Sequence, residues 1–272
     1  AKASARGEFT ILLLGQTGSG KSSFLNLLCN FPTVMRHGKA AIAGEMKDFR
    51  DLRFETDVKD RTVSQTCAAT VYRLPMGPLR LRIVDTPGFG DTRGADFDKK
   101  HVKQIVDCIK DLGSIHAITI VISGRESRMT VQLKYVLTEV CAILPKNARS
   151  NILVVFTNTS SPVYLSFDID ALSQLVEHRI QPQRQIFIEN PYVLWERSMQ
   201  NRGKVDDDAM QTELVRTFKD AGDNLATLYS GVVKMPRLNT KDFEQLYELR
   251  MNIEKTTMEV LNELENAQQE QK

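Results

Sequence analysis

FTILLLGQTGSGKSSFLNLLCN, Phe9 to Asn30, is an apolar run, a glycine-rich loop and an apolar-rich helical stretch in immediate succession. FTILLL reads as a short buried strand and SFLNLLCN as a helix, so the glycine loop between them occupies a strand-to-helix turn. Gly15 to Ser22 fits the G-x-x-x-x-G-K-[ST] pattern, which needs that context. Its glycines let consecutive backbone N–H groups turn inward around phosphates, and the helix beginning near Lys21 adds the positive end of its dipole. The phosphate contacts are therefore assigned to Gly15, Gln16, Thr17, Gly18, Ser19, Gly20, Lys21, Ser22 and Ser23. Lys21 is expected to reach the terminal phosphates. Ser22 is expected to supply a hydroxyl ligand to Mg²⁺, a hard cation that takes few protein ligands and keeps several waters. The bland alternative, a glycine turn that matches by chance, does not account for the flanking strand and helix.

Downstream, LRLRIVD ends in DTPGFGD, Asp85 to Asp91. A carboxylate at that strand end is placed to meet the magnesium directly or through water, and the Gly88 N–H to meet the terminal phosphate. Asp, Thr, Pro and Gly are also ordinary turn residues. What argues against a plain turn is the combination with the upstream glycine loop. Between the two motifs, SQTC holds Thr66, nineteen positions before Asp85, where a threonine closing over magnesium and the terminal phosphate is expected. Ser64 and Thr70 compete for that role.

The rest of the chain alternates. Strands are predicted at Ala69 to Leu74, Leu79 to Asp85, from Ile115 through IHAITIVI, at Asn151 to Phe156 and at Gln185 to Ile188. Helices are predicted over Asp98 to Leu112, around Leu133 to Leu144 and over Ala171 to Arg179. A polar stretch from about Arg36 to Gln65 shows no sustained periodicity and reads as irregular. Such alternation points to an α/β fold, a mostly parallel sheet with helices on both faces and ligands at the carboxyl ends of the strands. After about Arg202 the chain becomes helix-like and rich in Glu, Gln, Lys and Leu, so residues 1–202 are read as the main domain and 203–272 as a helical extension. Leu246, Ile253 and Val260 recur every seven residues, with Arg250, Thr257 and Leu264 complementary. With two polar members in that seam, packing on the parent domain is favoured over a coiled coil.

Composition narrows the partners. The 36 basic residues nearly balance 34 acidic ones, so no broad electrostatic footprint for nucleic acid or an acidic membrane is present. Cys29, Cys67, Cys108 and Cys141 are dispersed, without the close pairs of a zinc site, and read as buried thiols in a reducing compartment. No apolar run approaches the roughly 20 residues of a spanning helix. The expectation is a cytoplasmic protein, peripheral to a membrane or filament at most, with any membrane contact made through regions outside this chain. Ala1 in place of an initiator methionine, and a final residue inside a helical pattern, suggest an excised piece of something longer.

GKSSFLN together with DTPGFGDT resembles the septin, GIMAP and chloroplast import-receptor (Toc) branch of the P-loop GTPases, over roughly Phe9 to Glu196. The resemblance implies a Ras-like sheet, GTP or GDP with Mg²⁺, and self-association beside the nucleotide. Two departures matter. Where most such enzymes carry N/TKxD, whose Asp accepts from the guanine N1 and N2 groups, this chain has Thr157, Asn158, Thr159 and Ser160. A buried donor pair left without an acceptor costs about 1–3 kcal/mol, enough to erase much of the preference for guanine. The resemblance suggests that Glu189 and Asn190, in FIEN, compensate, with Glu189 accepting from the base; a solvated loop acid is the equal alternative. Trp195 and Tyr192 lie next to that loop and are read as closing the core edge. The second departure is Phe89, where Ras-like enzymes place a water-orienting glutamine. Slow hydrolysis is expected unless Gln16, Arg93, Arg125 or another molecule supplies the missing group. The reading is a slow GTPase that acts as an assembly switch, against two alternatives: a P-loop ATPase or kinase, and a non-hydrolysing scaffold.

Overall fold

The computed structural model describes residues 7–30, 70–76, 79–88, 95–200 and 206–270. Thr66, Ser64, Phe89 and Arg93, and the polar stretch before Thr66, lie outside these residues. A six-stranded sheet runs in the order β2-β3-β1-β5-β6-β7. Its strands are β1 (Glu8–Gly15), β2 (Thr70–Met76), β3 (Leu79–Asp85), β5 (Ala117–Ser123), β6 (Ile152–Thr157) and β7 (Gln185–Ile188). All pairings are parallel except β2 with β3. The fold is thus the mostly parallel α/β sheet expected from the alternation.

Strand periodicity of two divides the core between the faces. Leu12, Leu14, Ile118, Ile120, Ile122, Val154 and Phe156 point to one side, where they pack with α2 (Ala95–Lys110), α3 (Val131–Ile143) and α4 (Ile169–Leu175). Ile11, Leu13, Val121, Leu153 and Val155 point to the other, against α1 (Lys21–Cys29), α5 (Pro191–Gln200) and α6 (Asp207–Val233). Burial on both faces explains why these strands read as continuous apolar runs. Each fully buried Leu, Ile or Phe here contributes about 1.5–3 kcal/mol of transfer free energy. The 27-residue α6 belongs to this second core, since Phe218, Leu225 and Val232 are fully buried in it.

Two expectations need correction. The strand predicted through Ile115 is divided at His116. Ser114–Ile115, β4, pairs instead with Leu238–Asn239, β8, in a separate two-stranded sheet. The seam of α7 (Thr240–Glu270) packs on the domain only at its start, where Phe243 is buried and Tyr247 lies against the first core. From Met251 to Gln268 every residue is exposed. Length accounts for this. A helix of 31 residues is about 46 Å long, whereas the 16 residues of α2 reach about 24 Å, so α7 outruns the helices it packs on.

His116 is the joint between these sheets. Its N–H donates to the Thr10 carbonyl at 2.9 Å, and its ring Nδ1 accepts from the Thr10 N–H at 3.1 Å. The Asn151 side chain donates to the His116 carbonyl at 2.7 Å. Burial first, then the Arg237 and Arg82 charges, hold its pKa below the ordinary 6.5, with Glu8 opposing. In the unfolded chain this imidazole gains a proton below about pH 6.5, whereas in the fold it resists. Its contribution to stability is therefore present above that pH and is lost as pH falls toward the depressed folded value. The urea midpoint is expected to drop between about pH 7.5 and about pH 5.5 in the wild type and to drop less in His116→Gln. An equal drop in both, measured by circular dichroism, would assign the dependence to other groups.

Candidate nucleotide site

The carboxyl end of β1 delivers the chain into the glycine loop with no room for a side chain at Gly15. A Cβ there would stand 2.4 Å from the Val121 carbonyl oxygen on β5. Gly18 and Gly20 take φ of +79° and +89°, the left-handed region that glycine enters without strain. Gly20 caps α1, and its carbonyl accepts from the Phe24 N–H at 2.9 Å. Lys21 is buried and donates from Nζ to the Gly15 carbonyl at 3.1 Å, so its ammonium is folded back over the loop. The hydroxyls of Thr17 and Ser19 are buried with no hydrogen-bond partner among the described residues. Ser22 and Ser23 follow in the first turn of α1.

From β3 come the residues of the second motif. Asp85 is 1% exposed at the strand end, in register with Leu13 on one side and Thr70 on the other. Thr86 donates to the Leu13 carbonyl at 2.6 Å and fixes the departure of the loop. Gly88 lies against the glycine loop, since a Cβ on it would meet Thr17 Oγ1 at 2.7 Å. The Ser22 hydroxyl on α1 and the Asp85 carboxylate at the end of β3, the strand paired with β1, are hard oxygen donors of the kind that suits Mg²⁺. Among the described residues no cluster of three His, Cys, Asp or Glu side chains forms an all-protein metal cage.

On the far side, β6 ends at Thr157, whose hydroxyl donates to the Ser19 carbonyl at 2.7 Å. Asn158 follows with φ +56° and donates to Ser123 Oγ and to Thr157 Oγ1, each at 3.3 Å. Thr159 turns its hydroxyl to the Ser161 carbonyl, at 3.1 Å. Glu189 and Asn190 come up from β7 to line a small cavity of about 40 Å³ with Gly20, Ser23, Thr157 and Asn158. Glu189 is half-buried, and burial pushes its carboxyl above the usual range while Arg125 and Arg197 pull it back. Asn190 has a structural engagement: its amide donates to Ser23 Oγ at 2.7 Å and its carbonyl accepts from the Tyr192 N–H at 3.0 Å. Tyr192 is fully buried and packs edge-on against Phe218.

A second cavity, about 230 Å³, opens on the other flank of the glycine loop between Gln16, Thr17, Ser19 and the β5–α3 loop. Gln16 accepts from the Thr130 hydroxyl at 3.0 Å, and Thr130 caps α3 by accepting from the Leu133 N–H. Gln16 is thereby engaged in holding α3. The exposed Arg128 lines this cavity, whereas Arg125 of the same loop acts, with Arg197, on Glu189. Arg128 was not singled out from the sequence. Its signal was its place beside Arg125 in the short loop that leaves β5.

Strand, glycine loop and helix, with a buried aspartate ending the neighbouring strand and a polar loop from β6 tied to the loop backbone, define a P-loop nucleotide-binding domain of the GTPase class. A model described as the AIG1 family matches residues 9–170. The chain belongs to that family, within the septin, GIMAP and Toc type of GTPases. It is similar to cell division control protein 11 of Saccharomyces cerevisiae, 32% identical over 84 residues that make up 31% of this chain and 18% of that one. Cell division control protein 12 of the same yeast is 30% identical over 105 residues, 39% and 22% of the two chains. The matches therefore span about a fifth of those relatives. Among solved structures, Toc33 from Arabidopsis thaliana in complex with GDP and Mg²⁺ shares 17% identity and a TM-score of 0.47, covering 86% of this chain and 88% of that one. A dimerisation-deficient Toc33 variant gives 15% and 0.45, with coverage of 80% and 84%. No helix among the described residues is long and apolar enough to cross a membrane.

The close approach of the two loops yields a prediction. Gly124 donates to the Thr157 carbonyl at 2.6 Å, and a Cβ on it would stand 2.4 Å from Thr159 Cγ2. Gly124→Ala is expected to cost about 1–3 kcal/mol in denaturant unfolding through overpacking. The control is Gly231→Ala, in helical α6 with open space around it, which is expected to gain about 0.5–1 kcal/mol. Equal effects from both would contradict the assigned packing.

Proposed function

We propose that this chain binds guanine nucleotide with magnesium, hydrolyses GTP slowly when dilute, and is activated by self-association beside the nucleotide. The observation that carries the reading is Glu189, a half-buried carboxylate lining a cavity with the first turn of α1 and with Thr157 and Asn158. Guanine offers two adjacent donors, N1–H and the N2 amino group. Adenine offers an acceptor at N1. A carboxylate in that cavity therefore favours guanine and takes the place of the acid missing after Thr157. Asn190 and Asn158 hold the walls, the first through Ser23 and the second through Ser123.

At the phosphate end, Lys21 exchanges the Gly15 carbonyl for phosphate oxygens, and the loop N–H groups with that of Gly88 complete the cradle. The buried hydroxyls of Thr17 and Ser19 and the buried Asp85 carboxylate fit a site that receives charged oxygens and a cation. Ser22 and Asp85 would hold Mg²⁺, with Thr66 as the further proposed ligand. The bound ion supplies neutralisation of charge developing on the phosphates.

Phe89 cannot orient water, and Gln16 is engaged with Thr130. The missing group is therefore assigned to a second copy, and the exposed Arg128 at the rim of the P-loop cavity joins Arg93 as the arginine to test. Arg125 is better placed to tune Glu189. An arginine supplied in trans contributes on the order of 10³ to 10⁵ in rate. Specific GTPase activity is expected to rise with protein concentration and to vanish in Lys21→Ala. Activity that stays flat from nanomolar to high micromolar protein, with no dimer in the presence of a triphosphate analogue, would favour the non-hydrolysing scaffold instead.

A further inference from the structure

The near balance of charge over the whole chain conceals a segregation that the fold creates. Because β1, β3, β5, β6 and β7 run parallel, the segments that enter them meet at one end of the sheet, opposite the glycine loop. Exposed cations gather at that end: Arg80 at the start of β3, Lys146 before β6, Arg179 before β7, and Lys234, Arg237 and Lys241 in the passage from α6 through β8 to α7. None of these forms an ion pair among the described residues. The acids at the same end are mostly engaged. Glu8 holds Arg82 at 3.3 Å, Glu177 holds Arg149, and Glu244 holds Lys110 at 3.1 Å. Asp242 lies in the first turn of α7, where the helix dipole favours it. That leaves the exposed Asp111 to face the cations.

The backbone holds these cations together. Asn151, which closes the 3₁₀ turn Lys146–Asn151, donates to the carbonyls of His116 and Pro236, at 2.7 Å each. The turn that carries Lys146 is thereby clamped to the passage that carries Lys234 and Arg237. Arg237 from β8 and Arg82 from β3 both bear on the His116 ring. Like charges gathered in this way repel, and an anionic partner relieves the repulsion. What else is present narrows the partner. Segments 110–116, 144–151, 176–184 and 233–241 contain no Phe, Tyr or Trp on which a nucleic-acid base could stack, and the ring of Phe9 is packed on His116. A flat anionic bilayer would meet Asp111, Glu8 and Glu177 together with the cations. Val233, 43% exposed, is the one large apolar side chain exposed there among the described residues, so the interfacial anchors of a membrane surface are missing. A flexible chain can instead run from cation to cation between those acids. We propose that the amino end of the sheet docks an extended, acidic segment of a partner protein, whose Asp and Glu side chains meet the exposed Lys and Arg. The nucleotide end stays open while that segment is bound.

The test uses the full chain and two labelled, unstructured peptides of the same length, one rich in Glu and one with Gln in place of every Glu, read by fluorescence anisotropy. The Glu-rich peptide is expected to bind about tenfold or more tightly than its Gln counterpart, and to weaken as salt is raised. Lys146→Glu with Arg237→Glu should abolish that binding and leave GDP affinity unchanged, because both lie at the end away from the glycine loop. Arg179→Gln with Lys234→Gln, a milder change, should weaken it. Lys219→Glu with Lys255→Glu alters the net charge as much as the first pair but sits elsewhere, on α6 and the projecting half of α7, and should leave the peptide affinity as it was. Equal affinity for both peptides would overturn the proposal, as would a loss in the Lys219 and Lys255 variant as large as in the Lys146 and Arg237 variant. Tighter binding to phosphatidylserine vesicles or to poly(U) RNA than to the Glu-rich peptide, removed by Lys146→Glu with Arg237→Glu, would also overturn it.

Discussion

The hydrogen bond from the Thr157 hydroxyl to the Ser19 carbonyl, 2.7 Å, is the tie on which the site depends. It joins the end of β6 to the glycine loop that leaves β1, two strands away across β5. Gly20 lies so near that a Cβ would stand 3.0 Å from the same hydroxyl. A threonine is small enough for that space and carries the donor. The β6 loop is thereby joined to the glycine loop, and the β7 loop that carries Glu189 is joined to α1 where Asn190 donates to Ser23.

On the proposed reading, the base-reading acid has changed its place in the chain. The β6 loop keeps its tie to the glycine loop while Asn158 to Ser160 carry no carboxylate. The β7 loop, one strand further out, brings one in. Burial alone would push Glu189 toward the neutral acid, a poor acceptor for two donors. Arg125 and Arg197 oppose that shift. The β5 loop carries both Arg125, whose charge bears on Glu189, and Arg128, which lines the cavity beside Gln16 and Thr17.

Much of the fold was legible because parallel strands buried on both faces leave a plain signal. FTILLLG and ILVVFT are apolar but for one threonine each, and QIFI has the bounds the sequence indicated. His116 was not legible as a break, because the cause is a pair of hydrogen bonds with Thr10, far away in the chain. The seam of α7 was visible, but where it leaves the domain depends on the lengths of α2 and α3, which no local pattern records. Within the site, the glycine loop and Asp85 announce themselves by residue type and spacing. Arg128 and the capping partnership of Gln16 with Thr130 emerge only when the β5 loop is folded against the glycine loop.

The central claim, that Glu189 reads the base in place of the absent aspartate, is tested most directly by calorimetric titration of GDP and ADP into the wild type and Glu189→Ala with Mg²⁺ present. One unpaired donor pair costs about 1–3 kcal/mol, so the wild type is predicted to prefer GDP by about tenfold or more, and the variant to bring the two nucleotides within a few-fold. A preference for GDP that survives the substitution intact, or a wild type that binds ADP equally well, would contradict the account.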